Sequence, residues 1–124
     1  ALVVDDSLTA RALHRAMLEA GGFQVHLAAS GARALERLQA DTYDVVICDL
    51  DMEEMDGIEL IARLRERKDT RTLPVILVSA HDSAVARERG LSSGADGFLS
   101  KRECAAGRLL AEVLDVMSRR GSRE

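Results

Sequence analysis

The segment VVICDLDMEEMDG, residues 45–57, joins the most apolar run of the chain to a dense cluster of acidic residues. Residues 45–48 are all apolar, as is typical of a strand buried on both faces of a parallel sheet. Asp49 follows this run directly, and further carboxylates come soon after it: Asp51, Glu53, Glu54 and Asp56. The segment therefore predicts a buried strand that ends at a site built from negative charge.

The composition is that of an ordinary globular domain. The chain has 124 residues, of which 47% are hydrophobic and 31% are charged, and this length suits one domain. Only 2% are aromatic, so we expect a core of Leu, Val, Ile and Ala. The net charge of −4 argues against nucleic acid as a partner, because binding to phosphates needs a basic surface.

The cysteines and the ends of the chain indicate a compartment and an extent. Cys48 and Cys104 match no metal-binding or redox spacing, so we expect buried thiols in a reducing compartment. No apolar run is long enough for a signal peptide or a membrane span, and we expect a cytoplasmic protein without membrane contact. The chain opens at Ala1 and not at Met, which we interpret as a piece of a longer protein. We expect a domain over 1–118 and a frayed tail over 119–124.

Strand-like and helix-like segments alternate along the chain. Apolar or alternating runs predict five strands, at 1–4, 23–28, 45–48, 73–80 and 96–100. Apolar residues at helical spacing predict five helices, at 7–22, 30–41, 57–68, 83–94 and 105–117. This alternation predicts an α/β fold in which helices cover both faces of a parallel sheet.

Two of the predicted helices allow more specific expectations. In the first, Leu13, Met17 and Ala20 lie on one face, and either Ser7 or Asp6 is the N-cap. The fourth is polar, with only Val85 and Leu91 as large apolar anchors. We therefore expect the fourth helix to be weakly held.

The residues that follow the strands are the candidates for chemistry, because ligands of such sheets bind at the carboxyl ends of the strands. Asp5 and Asp6 follow the first strand, Asp49 the third, Ser79 the fourth and Lys101 the fifth. We expect these five residues to meet at one edge. Taken singly, each has an ordinary alternative as a helix cap, a turn residue or a surface lysine.

Three carboxylates at one edge need a counter-charge. Two unit charges about 4 Å apart cost roughly 4 kcal/mol at an effective dielectric constant near 20. Lys101 supplies one positive charge, and a divalent cation would supply the rest. We interpret His14, His26 and His81 as non-ligands, so the oxygen donors favour Mg²⁺. A serine and a lysine at this edge can bind a phosphoryl group, and an aspartate can accept one as a nucleophile.

With these motifs in order, the chain resembles the receiver domains of two-component response regulators over its whole length. VVDDS (3–7) is similar to the family's acidic pair, and DLDMEEMDG (49–57) to its phosphoacceptor loop. PVILVSA (74–80) resembles the strand of the switch hydroxyl, and GADGFLSK (94–101) the segment with an aromatic residue and a lysine. The resemblance implies a flavodoxin-like, doubly wound (βα)5 fold with strand order 2-1-3-4-5. Within the family, the pattern resembles receivers fused to chemotaxis-type hybrid histidine kinases.

The resemblance also implies roles for the acidic residues. Asp49 would be the site of phosphorylation. Asp6 and Asp49 would bind Mg²⁺ directly, Asp5 largely through water, and the backbone carbonyl of Asp51 would be a further ligand. Asp51 and His81 would lie near the path of the attacking water, and we expect both to tune the lifetime of the phosphorylated state.

The remaining roles concern the phosphoryl group and the response to it. By resemblance, Lys101 would pair with the phosphoryl group and Ser79 would donate a hydrogen bond to it. Phe98 matches the aromatic switch position, and the face over 83–117 would bind a downstream protein. The phosphoryl donor would be the phosphohistidine of a histidine kinase, in the same polypeptide or in a separate one. The domain would then be a signalling module and not an enzyme that turns over an external substrate.

The sequence departs from the family pattern at four places. Glu53 stands where a proline is usual and Glu54 adds further charge beside it. Arg102 follows Lys101 where proline is common. Phe98 has no tyrosine hydroxyl, and Ser79 replaces the more usual threonine.

Two other functions stay open from the residues. A pseudo-receiver would keep the fold as a docking module without phosphorylation, and the acidic loop with Glu53 is the feature that favours it. A haloacid-dehalogenase-type phosphatase would use Asp49 as nucleophile and Asp51 as general acid. Its acidic pair would follow the lysine, however, whereas Asp5 and Asp6 come first here. Turnover of a phosphate ester would distinguish the phosphatase.

Overall fold

The computed structural model describes residues 1–81 and 83–122, with side chains through residue 119. Its sheet has five parallel strands in the order β2-β1-β3-β4-β5. The chain therefore has the predicted flavodoxin-like, doubly wound α/β fold. The strands are β1 (Leu2–Val4), β2 (His26–Ala28), β3 (Val46–Asp49), β4 (Val75–Ser79) and β5 (Gly97–Ser100).

A helical region follows each strand. The helices are α1 (Leu8–Ala20), α2 (Gly31–Ala40), α3 (Gly57–Glu66), α4 (Ala84–Ser92), α5 (Lys101–Glu103) and α6 (Leu109–Ser122). The prediction that the last helical region begins at residue 105 is wrong, because helical structure begins at Lys101. The segment Cys104–Arg108 joins α5 to α6 and is kinked at Gly107, whose φ of 85° is not helical. Of the tail predicted over 119–124, the last two residues lie outside the described part.

The alternation of side chains along the strands divides the core into two layers. On one face, Leu2, Val46 and Leu77 are buried together with residues of α2 and α3. On the other, Val3, Ile47 and Ile76 pack with residues of α1 and α6. Because β1, β3 and β4 are covered on both faces, nearly all their residues are apolar, as expected for parallel strands.

Of the predicted apolar face of α1, Met17 is partly buried and packs against the core, but the prediction is wrong for Leu13 and Ala20. The buried residues of this helix are His14 and Leu18, whereas Leu13 is 45% exposed and Ala20 is exposed. Polar His14 occupies a position that an apolar periodicity does not mark, and burial lowers its pKa. The N-cap is Ser7, whose hydroxyl accepts a hydrogen bond from the N–H of Ala10 at 3.2 Å.

The predicted anchors of α4 are also wrong. Val85 is 75% exposed and Leu91 is 43% exposed, and Gly90 is the residue of this helix that is buried. The absence of a side chain at Gly90 lets Phe98 approach closely, since a Cβ there would lie 2.9 Å from Phe98 Cδ2. The helix is thus held by few apolar contacts, consistent with the weak attachment expected from its sequence.

Candidate functional site

The sheet brings the predicted site residues to one edge because its strands end in register. Asp49 pairs with Val78 and closes β3. Ser79 closes β4, Asp5 follows β1 directly, and Lys101 is the first residue after β5. The carboxyl ends of parallel strands share one side of the sheet, so these side chains lie at the same edge.

Three carboxylates form the centre of this edge. Asp5 is 1% exposed and Asp49 is 4% exposed, while Asp6 is exposed to solvent. One oxygen from each of the three lies within 4.8 Å of the others. The structure thus brings together the side chains of three residues that the sequence predicts as metal ligands.

The surroundings of Asp5 test whether a cation fits here. Its Oδ1 accepts a hydrogen bond from the N–H of Ser7 at 2.9 Å. Its Oδ2 is buried, and among the described residues it forms an ion pair with Lys101 at 3.3 Å but accepts no hydrogen bond of regular geometry. A buried carboxylate oxygen without a donor is costly, and a cation offsets that cost. A set of carboxylate oxygens is the donor set that Mg²⁺ prefers, so the residues present fit this ion.

Lys101 is the cation of the site. Its Nζ lies 3.3 Å from Asp5 Oδ2 and 3.7 Å from Asp49 Oδ2, which are ion-pair distances without hydrogen-bond alignment at Asp5. Partial burial alone would lower the pKa of Lys101, but the carboxylates of Asp49 and Asp5 raise it. One ammonium group therefore faces two buried carboxylates and stays protonated.

The surroundings of Asp49 disfavour its ionised form. Burial and then the charge of Asp5 raise the pKa of Asp49 to about 6, although the N–H of Asp51 and the ammonium of Lys101 act in the opposite direction. The Asp51 N–H donates to Asp49 Oδ1 at 3.2 Å. Without a metal ion, the site therefore holds more negative charge than its own groups neutralise.

Ser79 and Asp51 contact each other at the rim of the site. The buried Ser79 hydroxyl donates a hydrogen bond to Asp51 Oδ2 at 2.9 Å and accepts one from the N–H of His81 at 3.0 Å. The His81 side chain is exposed. The predicted phosphoryl-binding hydroxyl is thus bonded to a neighbouring carboxylate in this state.

The loop between β3 and α3 carries the departures from the family pattern. Glu53 and Glu54 are both exposed, and Met52 is buried beneath them. Glu54 has a φ of 62°, in the left-handed region that side chains other than glycine seldom adopt. The two extra charges of this loop therefore point to solvent at the rim and add to the negative field of the site.

Phe98, the predicted switch residue, is buried under α4. The guanidinium carbon of Arg87 lies 5.1 Å from the centre of its ring. Arg87 also donates to the backbone carbonyl of Phe98 at 3.0 Å and to Glu103 Oε1 at 2.9 Å. The aromatic side chain is therefore enclosed between the sheet and an arginine of the neighbouring helix.

Sequence reasoning missed the group of residues that positions Lys101. Ser100 and Glu103 form a capping box, with the Ser100 N–H donating to Glu103 Oε1 at 3.0 Å and the Glu103 N–H donating to Ser100 Oγ at 3.1 Å. The pKa of Glu103 is lowered, chiefly by the Ser100 N–H and then by Arg108 and Arg87. The signal was available, because Ser-x-x-Glu at 100–103 is the capping-box pattern.

Comparisons with known proteins agree with this geometry. The family model of the response regulator receiver domain matches residues 1–114. The gliding motility regulatory protein of Myxococcus xanthus is 38% identical over 117 residues, which are 94% of this chain and 15% of that protein. The response regulator MprA of Mycolicibacterium vanbaalenii is 37% identical over 118 residues, 95% of this chain and 50% of that protein. The chain thus spans half or less of these two relatives.

Solved structures give the same result. The receiver domain of a signal transduction histidine kinase from Syntrophus aciditrophicus has a TM-score of 0.83 and 34% identity, covering 94% of this chain and 88% of that one. Among the described residues, we find no helix long and apolar enough to cross a membrane. The family match over most of the chain, together with the fold and the acidic edge, shows that this chain belongs to the response regulator receiver domains of two-component signalling.

Proposed function

We propose that this domain accepts a phosphoryl group on Asp49 from the phosphohistidine of a histidine kinase. A carboxylate oxygen of Asp49 forms the new bond to phosphorus, the bond between phosphorus and the imidazole nitrogen breaks, and its electron pair stays on the nitrogen. The observation that carries the proposal is the pairing of buried Asp49 with Lys101, 3.7 Å away, beside the hydrogen-bond-free oxygen of Asp5.

A magnesium ion is part of the proposal. The carboxylates of Asp5, Asp6 and Asp49 and the backbone carbonyl of Asp51 would hold it. When bound, Mg²⁺ supplies positive charge to the phosphoryl oxygens and to the acidic cluster. The metal requirement follows from the charge balance, because one lysine faces three carboxylates.

The other site residues act on the transferred group. Lys101 is placed to pair its ammonium with a phosphoryl oxygen on Asp49. Ser79 donates to the same group once its hydroxyl leaves Asp51, to which it is now bonded at 2.9 Å. When the Ser79 hydroxyl moves from Asp51 to the phosphoryl group, Phe98 and α4 move as well. This movement is the signal.

The partners and the setting follow from the family. The donor is a histidine kinase, and the proposed setting is a chemotaxis-type hybrid kinase. The similarity to the receiver domain of a signal transduction histidine kinase supports the fusion to a kinase. A downstream protein reads the face over 83–117. We place the domain at 1–118, in the cytoplasm, as a signalling module that neither binds nucleic acid nor contacts the membrane.

The first experiment is intact mass spectrometry after incubation with acetyl phosphate, with and without Mg²⁺. Wild type should gain one phosphoryl adduct only with Mg²⁺, and Asp49→Asn should gain none. Asp69→Asn is the matched control, because Asp69 is an exposed carboxylate at the far end of α3, and it should behave as wild type.

Two results would overturn the proposal. An adduct that persists in Asp49→Asn would move the acceptor to another residue. No adduct in wild type, even with a histidine kinase present, would favour the pseudo-receiver. Steady release of phosphate from a phosphate ester would instead indicate a phosphatase, which the position of Asp5 and Asp6 ahead of Asp49 does not favour.

The lifetime of the phosphorylated state is proposed to depend on Asp51 and His81. Asp51 Oδ2 accepts a hydrogen bond from the Ser79 hydroxyl, and the backbone N–H of His81 donates to that hydroxyl, which places the exposed His81 side chain next to the site. The proposed role of both side chains is to border the path of an attacking water. Asp51→Asn and His81→Ala should change the first-order decay of the adduct. Unchanged decay rates in both variants would contradict this role.

A further inference from the structure

We propose that Arg87 of α4 is a positioning residue for Lys101, acting through Glu103, so that α4 and the phosphoryl-accepting edge are linked by one ion pair. This inference rests on the proposed function of Asp49. It goes beyond that function because Arg87 and Glu103 lie outside the acidic site. The family resemblance gives neither residue a role in phosphoryl transfer.

Arg87 provides much of the attachment of α4. The large apolar residues of this helix, Val85 and Leu91, are exposed, and Gly90 offers no side chain. The Arg87 guanidinium lies over the Phe98 ring and donates to the Phe98 carbonyl and to Glu103. An element with few buried apolar contacts moves readily, so a single well-bonded arginine has a large share in where it sits.

Glu103 connects Arg87 to the turn that carries Lys101. Its Oε1 accepts from Arg87 at 2.9 Å and from the Ser100 N–H at 3.0 Å, while its Oε2 accepts from Arg108. The capping box therefore shares one oxygen with the ion pair. A displacement of Arg87 therefore acts through Glu103 Oε1 on the backbone turn that starts at Ser100.

That turn determines where Lys101 points. Lys101 is the first residue of the capped turn, and its Nζ reaches Asp5 and Asp49 at 3.3 and 3.7 Å. The turn fixes the position of the Lys101 backbone, and if that backbone moved, the flexible side chain would have to adopt other rotamers to keep its ammonium group at Asp5 and Asp49, at a cost in side-chain entropy. The path from α4 to the site is thus Arg87, Glu103, the Ser100–Lys101 turn and the ammonium group.

The test is the initial rate of phosphoryl uptake from acetyl phosphate with saturating Mg²⁺, followed by intact mass. Arg87→Met should slow uptake about fivefold or more, because a misplaced catalytic group loses its alignment with the reacting atoms. Arg89→Met is the matched control, since Arg89 is an exposed arginine of the same helix, and its rate should equal that of wild type.

A second variant tests the same inference even if Arg87→Met does not fold. Glu103→Gln keeps the capping box, because glutamine also accepts from the N-cap N–H, but it removes the charge that pairs with Arg87. It should slow uptake in the same direction. Arg108→Met, which removes only the more exposed partner of Glu103, should have the smaller effect.

A double-mutant cycle separates positioning from general structure. If Arg87 acts through Lys101, Arg87→Met should have little further effect on uptake in a Lys101→Ala background, whereas an effect that is only structural should persist there. Equal rates for the Arg87 and Arg89 variants, faster uptake in Arg87→Met, or additive losses with Lys101→Ala would each overturn the inference. Failure of wild type to take up any phosphoryl group would instead overturn the proposed function, and the inference with it.

Discussion

The two edges of the sheet carry buried charge in opposite ways. At the amino edge, Arg65 donates to Asp96 Oδ2 at 3.1 Å and to the carbonyls of Leu73 and Gly94 at 2.7 and 3.0 Å. Asp96 Oδ2 also accepts from the N–H of Val75 at 2.9 Å. Within the described part of the chain, the Arg65 cation thus meets the Asp96 anion, and hydrogen bonds surround both. That edge is electrostatically complete and supports the fold.

At the carboxyl edge of the sheet, the negative charges are not balanced in this way. Three carboxylates share one ammonium group, and the buried Oδ2 of Asp5 accepts no hydrogen bond. An uncompensated buried charge costs stability, and such a cost is typical of a site that binds a ligand. The difference between the edges therefore separates a structural ion pair from a functional one.

The amino edge should respond to mutation as a structural ion pair. Arg65→Met should lower the free energy of unfolding by about 3 kcal/mol, because it removes the guanidinium group that forms an ion pair with the mostly buried Asp96 carboxylate. Arg63→Met, on the same helix, removes an exposed pair with Glu59 and should cost about 0.5 kcal/mol or less. Urea unfolding followed by circular dichroism measures both, since the chain has no Trp. The loss for Arg65→Met should be the same with and without Mg²⁺, and a metal-dependent loss would break the contrast.

At the carboxyl edge, the loss of the Lys101 ammonium group should be offset by metal. Lys101→Met leaves Asp5 and Asp49 facing each other, and without Mg²⁺ it should lower the free energy of unfolding by about 1–2 kcal/mol. Calorimetric titration should show Mg²⁺ binding at least about threefold tighter than in wild type, because a competing positive charge is gone. Weaker Mg²⁺ binding in this variant would indicate that Lys101 helps to build the metal site.

Neutralising Asp49 should stabilise the metal-free domain. The folded-state pKa of Asp49 is about 6, above its ordinary value near 3.9. Its contribution is therefore favourable below about pH 4 and is lost as the pH rises through 6. Asp49→Asn should raise the free energy of unfolding at pH 7.5 by about 1 kcal/mol, allowing for the lost attraction to Lys101.

The comparison across pH and metal tests this sign. The difference in stability between Asp49→Asn and wild type should grow between pH 4 and pH 7 and should shrink or reverse in Mg²⁺, which stabilises the form that binds it. A variant that is less stable than wild type at every pH would show that the carboxylate of Asp49 is adequately neutralised without metal.

The smallest effect should come from the rim of the site. Glu54 has a φ of 62°, so Glu54→Gly relieves backbone strain but increases the freedom of the unfolded chain. The net change in the free energy of unfolding should lie within about 0.5 kcal/mol. Glu54→Ala keeps the strain and removes the charge, and it should therefore show whether the charge alone changes Mg²⁺ affinity. A large loss of stability in either variant would assign the loop a structural role.

Much of the fold was accessible from the sequence, although particular elements were not. The apolar run of Val45 to Cys48 predicts its strand because burial on both faces demands apolar residues throughout. The inner face of α1 was mispredicted because buried His14 does not stand out in an apolar periodicity. The start of α5 at Lys101 was missed because its capping box at Ser100 and Glu103 was overlooked.

The sequence by itself determined which groups could meet at the carboxyl edge, because the end of each strand is marked by the change from apolar residues to Asp5, Asp49, Ser79 or Lys101. It also determined their excess of negative charge, which depends only on residue types. The tertiary structure alone decided how those charges are paired. Three contacts depend on distances of a few ångströms between distant segments: Ser79 with Asp51, Lys101 with Asp5, and Arg87 with Glu103. Such distances are set by packing across the sheet, and no local pattern in the chain encodes them.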